Sequence, residues 1–171
     1  MGCPSAICGV WDQDKRRCES LCPLLAGLGM PSALQRIACP IADATTSTLR
    51  ISCPDNGSIE IVDKTSFGRN ATLVALDGTE AEKKTRGRGK VYMLSGSAMS
   101  DGSGATLHCR LVSRGDGWHT RQERFISPDP TDEGRVLVER HVLVRPGQPD
   151  VSLCRYYNKR NGEDLSPAVS T

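Results

Sequence analysis

From residue 45 onward, the sequence consists of short runs of alternating apolar and polar residues that are separated by turn signals. In the first run, Leu49, Ile51 and Cys53 alternate with polar neighbours. Alternation with a period of two indicates strands that bury one face, and Asp-Gly pairs favour tight hairpin turns. The main turn signals lie at residues 54–57, 77–78, 87–89, 101–102, 116–117 and 130–134. The pattern therefore predicts consecutive strands that are joined by hairpins.

Together with a first strand near residues 7–15, these runs number about ten. Regular hairpin connections predict an all-β sheet with antiparallel, up-and-down strand order. An open sheet of this size would leave two unpaired edges, and closure into a barrel removes them. We therefore predict an all-β fold, an antiparallel up-and-down β-barrel of about ten strands.

The segment between the first two predicted strands breaks the alternation. Its leucines follow the i, i+3, i+4, i+7 spacing of a helix, which Gly27 and Gly29 should end. Pro31 can open a second helix of similar length, about two turns. Helices this short do not persist alone in water, so we expect both to pack over the barrel mouth as a lid. The apolar lid residues are Leu21, Leu24, Leu25, Leu28, Leu34 and Ile37.

The composition is that of a folded globular chain: 171 residues, 37% hydrophobic and 25% charged, with a formal net charge of +2. So small a charge does not point to a nucleic-acid partner, and no apolar run approaches the roughly 20 residues of a membrane-spanning helix. The N-terminus lacks the apolar core of a secretory signal, which predicts a cytoplasmic protein. In that compartment the eight cysteines are expected to be free thiols.

Nothing in the sequence indicates a metal or a catalytic site. The cysteines form no C-x2-C pair, and His108, His119 and His141 are far along the chain from the N-terminal cysteines. No nucleophile motif accompanies those histidines. We therefore expect no metal, no cofactor and no enzymatic activity.

The last predicted strand places a permanent cation on an apolar face. In residues 151–160, Val151, Leu153, Arg155 and Tyr157 share one face, and the apolar residues turn that face inward. Arginine stays protonated in proteins, so a buried Arg155 requires an anion or a dense hydrogen-bond shell. Its guanidinium and a tyrosyl hydroxyl two residues away suit the capture of a ligand carboxylate. The alternative is a structural arginine that pairs with an internal glutamate.

Several motifs, in order, resemble those of the intracellular lipid-binding proteins, the fatty-acid- and retinoid-binding β-clams. Gly9-Val10-Trp11 resembles their opening G-x-W, residues 66–70 resemble their S-F-K-N turn, residues 76–91 resemble their L-G-x-E-F-x-E stretch, and Arg155-x-Tyr157 resembles their carboxylate-binding strand. The resemblance covers roughly residues 7–160. It implies a calycin- or lipocalin-like barrel that carries a fatty acid, with Arg155 and Tyr157 at its head group.

The resemblance also implies further anion-binding arginines. Arg140 lies among valines in its predicted strand, as Arg155 lies among apolar residues in the last one. In the preceding strand, alignment on residues 116–117 puts Arg124 at the anion-binding position, whereas alignment on residues 125–126 puts Glu123 there. An inward Glu123 would compete with a ligand carboxylate. The candidate ligand-binding residues are therefore Arg155, Tyr157, Arg124 and Arg140.

The N-terminus carries a separate signal. Gly2 and Cys3 resemble the start of dually acylated proteins, although Ala6 stands where the M-G-x-x-x-[ST] pattern has Ser or Thr. We expect residues 1–6 to be an acylation-like segment outside the barrel, and the polar residues 161–171 to be a flexible tail. Acylation would attach the protein to the inner face of the plasma membrane or a related membrane.

Two functions follow from these predictions. The first is a monomeric intracellular carrier of a fatty acid or similar amphiphile, held in the barrel and tethered to a membrane by its N-terminus. The second is a membrane-associated scaffold of the same fold whose cavity is filled by an internal Arg–Glu network. Neither function involves nucleic acid.

Overall fold

The computed structural model describes residues 4–84, 91–111, 118–128 and 135–160. The predicted turns at 87–89, 116–117 and 130–134, the acylation-like Gly2 and Cys3, and the tail 161–171 lie outside these residues. A 3-10 turn spans Ser5–Ile7. The other elements are β1 (Gly9–Gln13), α1 (Cys22–Gly27), α2 (Ser32–Ala44), β2 (Ser47–Asp55), β3 (Ser58–Thr65), β4 (Gly68–Ala75), β5 (Ala81–Lys84), β6 (Val91–Ala98), β7 (Gly104–Leu111), β8 (His119–Pro128), β9 (Arg135–Val144) and β10 (Val151–Lys159).

The ten strands form one antiparallel sheet in which sequence neighbours are spatial neighbours, and β1 pairs with both β2 and β10. Trp11, for example, lies opposite Leu49 on one side and Lys159 on the other. The sheet edges are β4 and β5, and Lys83 Nζ of β5 donates to Thr72 of β4. The predicted ten-stranded, antiparallel, up-and-down barrel is therefore confirmed, and it is nearly closed.

The main apolar core fills the end of the barrel opposite the helices. Trp11, Leu137 and Tyr157 are almost completely buried in it, and Trp11 Nε1 donates to the carbonyl oxygen of Ile7 at 2.9 Å. Pro4 is also fully buried. Pro4 and Ile7 therefore belong to the closed end of the barrel, whereas Ser5 and Ala6 between them are exposed, and the prediction that residues 1–6 lie outside the barrel is wrong for Pro4. Moving the apolar side chains of Pro4 and Ile7 from water into the core is favourable.

The two predicted lid helices are present between β1 and β2. Helix α1 ends at Gly27, and Pro31 precedes α2, as predicted. Helix α2 is longer than the predicted two turns, since it continues through Pro40 to Ala44. An internal proline removes one backbone hydrogen bond, but Pro40 is exposed and Thr45 N still bonds the carbonyl oxygen of Ile41. Helix α2 therefore continues through Pro40, although an internal proline usually ends or kinks a helix.

The lid is cross-linked, contrary to the expectation of free thiols. Cys22 at the start of α1 and Cys39 in α2 form a disulfide, with 5.3 Å between their Cα atoms. The short connection between the helices brings these positions together, although they are 17 residues apart in sequence. None of the helices in the described part of the chain is long and apolar enough to span a bilayer.

Candidate ligand-binding site

An apolar cavity of about 620 Å³ lies beneath the two helices. One wall comes from α1 and α2, another from the turn between β3 and β4, and Arg155 of β10 borders it. A volume of this size is typical of small-molecule sites. The lining residues are Leu21, Leu25, Met30, Leu34, Ile37, Ala38, Ile41, Ala42, Thr45, Thr65, Phe67 and Arg155.

The apolar walls of this cavity are open to solvent. Leu34, Ile37 and Ile41 of α2 are 55%, 64% and 48% exposed, and Phe67 across the mouth is 75% exposed. Helix α2 has no buried residue, although one of its faces is apolar. Apolar surface is usually buried, so a contiguous exposed lining indicates a surface that meets an apolar ligand or partner.

Arg155 lies where this apolar cavity meets a smaller polar one. The second cavity, of about 180 Å³, is bordered by Glu19 and Asp43 as well as by Arg155. Both carboxylates are engaged elsewhere: Glu19 accepts from the Cys154 amide and Asp43 from the Leu21 amide. Within the described residues Arg155 forms no ion pair, and its guanidinium carbon lies 6.0 Å from the centre of the Tyr157 ring. Arg155 thus borders both cavities, and its binding of a ligand there stays a prediction.

A buried ion pair lies deeper in the barrel. Arg124 of β8 pairs with Glu139 of β9, and both side chains are more than nine-tenths buried. Tyr157 donates its hydroxyl to Glu139 Oε2 at 2.9 Å, and His141 Nε2 is 3.1 Å from the same oxygen. Both oxygens of the Glu139 carboxylate are therefore occupied by groups of the protein itself.

The electrostatics of this cluster keep Glu139 ionised. Burial alone raises the pKa of Glu139, but the charges of Arg124, His141 and Arg155 together hold that pKa well below its ordinary value of 4.5. The pKa of Tyr157 is raised, first by burial and then by the Glu139 carboxylate, so the phenol stays protonated and donates. The arrangement is an internal carboxylate that is held by an arginine and a tyrosine.

The register of β8 settles which of its two candidate residues faces inward. Arg124 lies opposite Glu139 inside the barrel, whereas Glu123 lies opposite Arg140 on the outer face. Glu123 pairs there with Arg121 at 2.9 Å and with Arg140 at 3.6 Å. Arg140 is 46% exposed in its side chain, so the expectation that it binds ligand inside the barrel is wrong.

The remaining predicted site residues, the lid residues and Tyr157, differ in whether they border the cavity. Leu21, Leu25, Leu34 and Ile37 line the cavity as expected of a lid, whereas Leu24 and Leu28 do not border it. Tyr157 is fully buried and its hydroxyl is bound to Glu139 rather than presented to the cavity.

Sequence reasoning missed two residues of this region. Glu139 lies next to Arg140 and therefore on the other face of its strand from the one that the sequence pattern indicates as inward, and Phe67 falls within the turn motif at residues 66–70. An aromatic residue at a turn tip is a detectable signal, because such a side chain has no strand neighbours to bury it. Among the described residues, no group of three or more potential ligands is placed to hold a metal ion.

Neither known family models nor curated proteins match this sequence. Solved structures do match its fold. A Schistosoma mansoni fatty acid binding protein in complex with arachidonic acid gives a TM-score of 0.64 at 16% identity, covering 93% of this chain and 99% of that one. As-p18, an extracellular fatty acid binding protein, gives 0.66 at 16% identity, covering 94% and 100%. The Echinococcus granulosus fatty-acid-binding protein 1 gives 0.62 at 12% identity, covering 91% and 98%. This chain therefore has the fold of the fatty-acid-binding proteins.

Proposed function

We propose that this protein binds a fatty acid or a similar anionic amphiphile beneath its lid and acts as a non-catalytic, monomeric carrier. The observation that carries this proposal is Arg155, which has no ion-pair partner among the described residues and lies at the border of an open apolar cavity. A ligand with a carboxylate and an apolar chain complements both features. A charge-assisted hydrogen bond of this kind contributes about 1.5–3 kcal/mol, and the chain adds the burial of apolar surface.

The scaffold alternative assumed that an Arg–Glu network fills the cavity. Such a network exists in Arg124 and Glu139, but neither residue lines the cavity beneath the lid, and that cavity is open. A scaffold would have no use for an unpaired arginine beside exposed leucines and isoleucines. These observations favour the carrier over the scaffold.

The acylation-like N-terminus adds a proposal about location. Acyl groups on Gly2 and Cys3 would hold the carrier at the inner face of the plasma membrane or a related membrane, because two chains give stable attachment where one does not. Pro4, which follows directly, is buried at the closed end of the barrel. An anchor there would attach the closed end to the bilayer and leave the cavity at the far end.

The disulfide between Cys22 and Cys39 favours a different location. Disulfides form and persist in oxidising compartments and are rare in the cytoplasm. A carrier that works outside the cytoplasm would keep this cross-link and would not be acylated at Gly2. Intact-mass analysis of protein from its native cells, before and after thiol alkylation, separates the two locations. Acyl mass with alkylated Cys22 and Cys39 supports the inner membrane face, and unmodified Gly2 with an intact disulfide contradicts it.

The ligand proposal is tested on the purified full-length chain. Organic extraction followed by mass spectrometry should release a fatty acid or a related amphiphile, and the extracted protein should bind palmitate in a calorimetric titration. A chain that releases no lipid and gives no heat with palmitate overturns the carrier function.

A further inference from the structure

In the deep polar cluster of the barrel, formed by Arg124, Glu139, His141 and Tyr157, both carboxylate oxygens of Glu139 are already engaged by the protein, whereas Nε and Nη1 of the buried Arg124 have no hydrogen-bond partner among the described residues. Glu139 uses Oε1 to pair with Arg124 and Oε2 to accept from Tyr157. A carboxylate bound by an arginine and a tyrosine is the arrangement that an incoming anionic head group would also form. Here the protein supplies that carboxylate from its own strand β9.

The charges of the cluster exclude a second carboxylate from it. Arg124 is 6% exposed and Glu139 is 3% exposed, so the two charges interact in surroundings from which water is largely absent. A ligand carboxylate beside Glu139 would place two like charges in that environment, which is strongly unfavourable. The Tyr157 hydroxyl has one proton to donate and already gives it to Glu139.

Among the described residues, no carboxylate forms an ion pair with Arg155, whereas Arg124 is already paired with Glu139. Arg155 lies directly opposite Glu139 on β10, and it borders the apolar cavity, whereas Arg124 and Tyr157 do not. With Glu139 neutralising Arg124, the charge of Arg155 matches one ligand carboxylate. The neighbouring Glu19 and Asp43 do not pair with it.

We infer that Glu139 is a specificity-determining residue: it takes the deep head-group position and restricts an anionic ligand to Arg155, beneath the lid. The ligand's apolar chain then lies among the lid residues and Phe67 rather than down the barrel. This inference rests on the proposed carrier function and deepens it. It predicts that the tyrosine of the R-x-Y motif is a structural residue in this protein, not a ligand contact.

The test measures binding of palmitate and its methyl ester by calorimetry to the full-length wild type, Tyr157→Phe and Glu139→Gln. For Tyr157→Phe we expect palmitate affinity within about twofold of wild type, together with a lower melting temperature. Glu139→Gln should bind palmitate on the order of tenfold more tightly, because Arg124 then also attracts the carboxylate, while its affinity for the ester stays unchanged.

The outcomes that overturn the inference differ from those that overturn the function. A loss of tenfold or more for palmitate alone in Tyr157→Phe shows that the ligand carboxylate reaches Tyr157, and it overturns the inference while the carrier function stands. Unchanged or weaker palmitate binding by folded Glu139→Gln also overturns the inference and leaves the carrier function standing. If Glu139→Gln does not fold, the palmitate affinity of Tyr157→Phe still tests the inference. Wild-type protein that binds neither palmitate nor its ester overturns the carrier function and this inference with it.

Discussion

Arg155 and Glu139 stand directly opposite each other on neighbouring strands, but their side chains do not form an ion pair. Glu139 turns instead to Arg124 on its other side and to the hydroxyl of Tyr157. One arginine of the described barrel interior is therefore neutralised, and the other is left beside an apolar cavity.

Removing Glu139 alone should destabilise the protein strongly. Glu139→Ala leaves the buried Arg124 without its carboxylate, and breaking a buried pair in this way costs about 3–5 kcal/mol. The double variant Arg124→Met, Glu139→Leu removes both charges and should recover most of the lost free energy of unfolding. Urea denaturation measures both. Equal losses in the single and double variants would show that the unpaired charge is not the cause.

Acid should weaken the contribution of Glu139. Its folded-state pKa lies below the ordinary value of 4.5, because Arg124, His141 and Arg155 together outweigh the effect of burial. The unfolded chain therefore binds a proton before the folded one does, and the stabilisation is present above pH 4.5 and is lost as the pH falls toward the folded-state pKa. The difference in unfolding free energy between wild type and Glu139→Gln should shrink as the pH is lowered from about 6 to about 3. A difference that stays constant over that range contradicts the depressed pKa.

Gly27 should be essential for the seating of α1 on the barrel. A Cβ at this position would lie 2.8 Å from Leu143 Cδ2 and 3.4 Å from Val151 Cγ2, and Leu143 is 1% exposed and cannot easily move. Gly27→Ala should cost about 1–3 kcal/mol in unfolding free energy or displace the lid, as overpacking does. Gly57→Ala is the control, since its nearest atom is 3.8 Å away. Circular dichroism melts that do not distinguish the two variants would contradict this packing.

The exposed lid residues should serve binding rather than stability. Ile37 borders the cavity and is 64% exposed, whereas Leu73 on β4 is 63% exposed and does not border it. Ile37→Ser should weaken palmitate binding by about 1 kcal/mol, roughly fivefold, because the ligand loses apolar contact. Leu73→Ser should leave the affinity unchanged, and neither variant should lower the melting temperature. Equal effects of the two substitutions on palmitate affinity would contradict the proposal that α2 contacts the ligand.

Alternation and turn residues were sufficient to predict the barrel. Runs such as Leu49 and Ile51 bury one face only, so their period of two is unambiguous. The lid helices were predicted from leucine spacing and glycines, but α2, which ends at Ala44, is longer than the two turns expected of it. The apolar neighbours of Arg155 on the same face predicted that it points inward, and Arg155 borders the cavity beneath the lid.

The interior of β8 and β9 could not be predicted in this way. Both faces of β9 are apolar, since Leu137 and Val138 are both buried, so the pattern does not show which of Glu139 and Arg140 points inward. Strand β8 is polar on both faces over most of its length, which left Arg124 and Glu123 equivalent. The disulfide depends on how two helices pack, and sequence spacing alone does not fix that.

The most direct test of the carrier mechanism is the ratio of affinities for palmitate and its methyl ester, measured by calorimetry in wild type and in Arg155→Gln. If the ligand carboxylate pairs with Arg155, wild type should prefer palmitate by about 10- to 100-fold, which corresponds to a charge-assisted bond of about 1.5–3 kcal/mol. Arg155→Gln should bring that ratio close to one while leaving the affinity for the ester within about twofold. A preference for palmitate that survives in Arg155→Gln would contradict the role of this arginine, and so would an equal loss for both ligands.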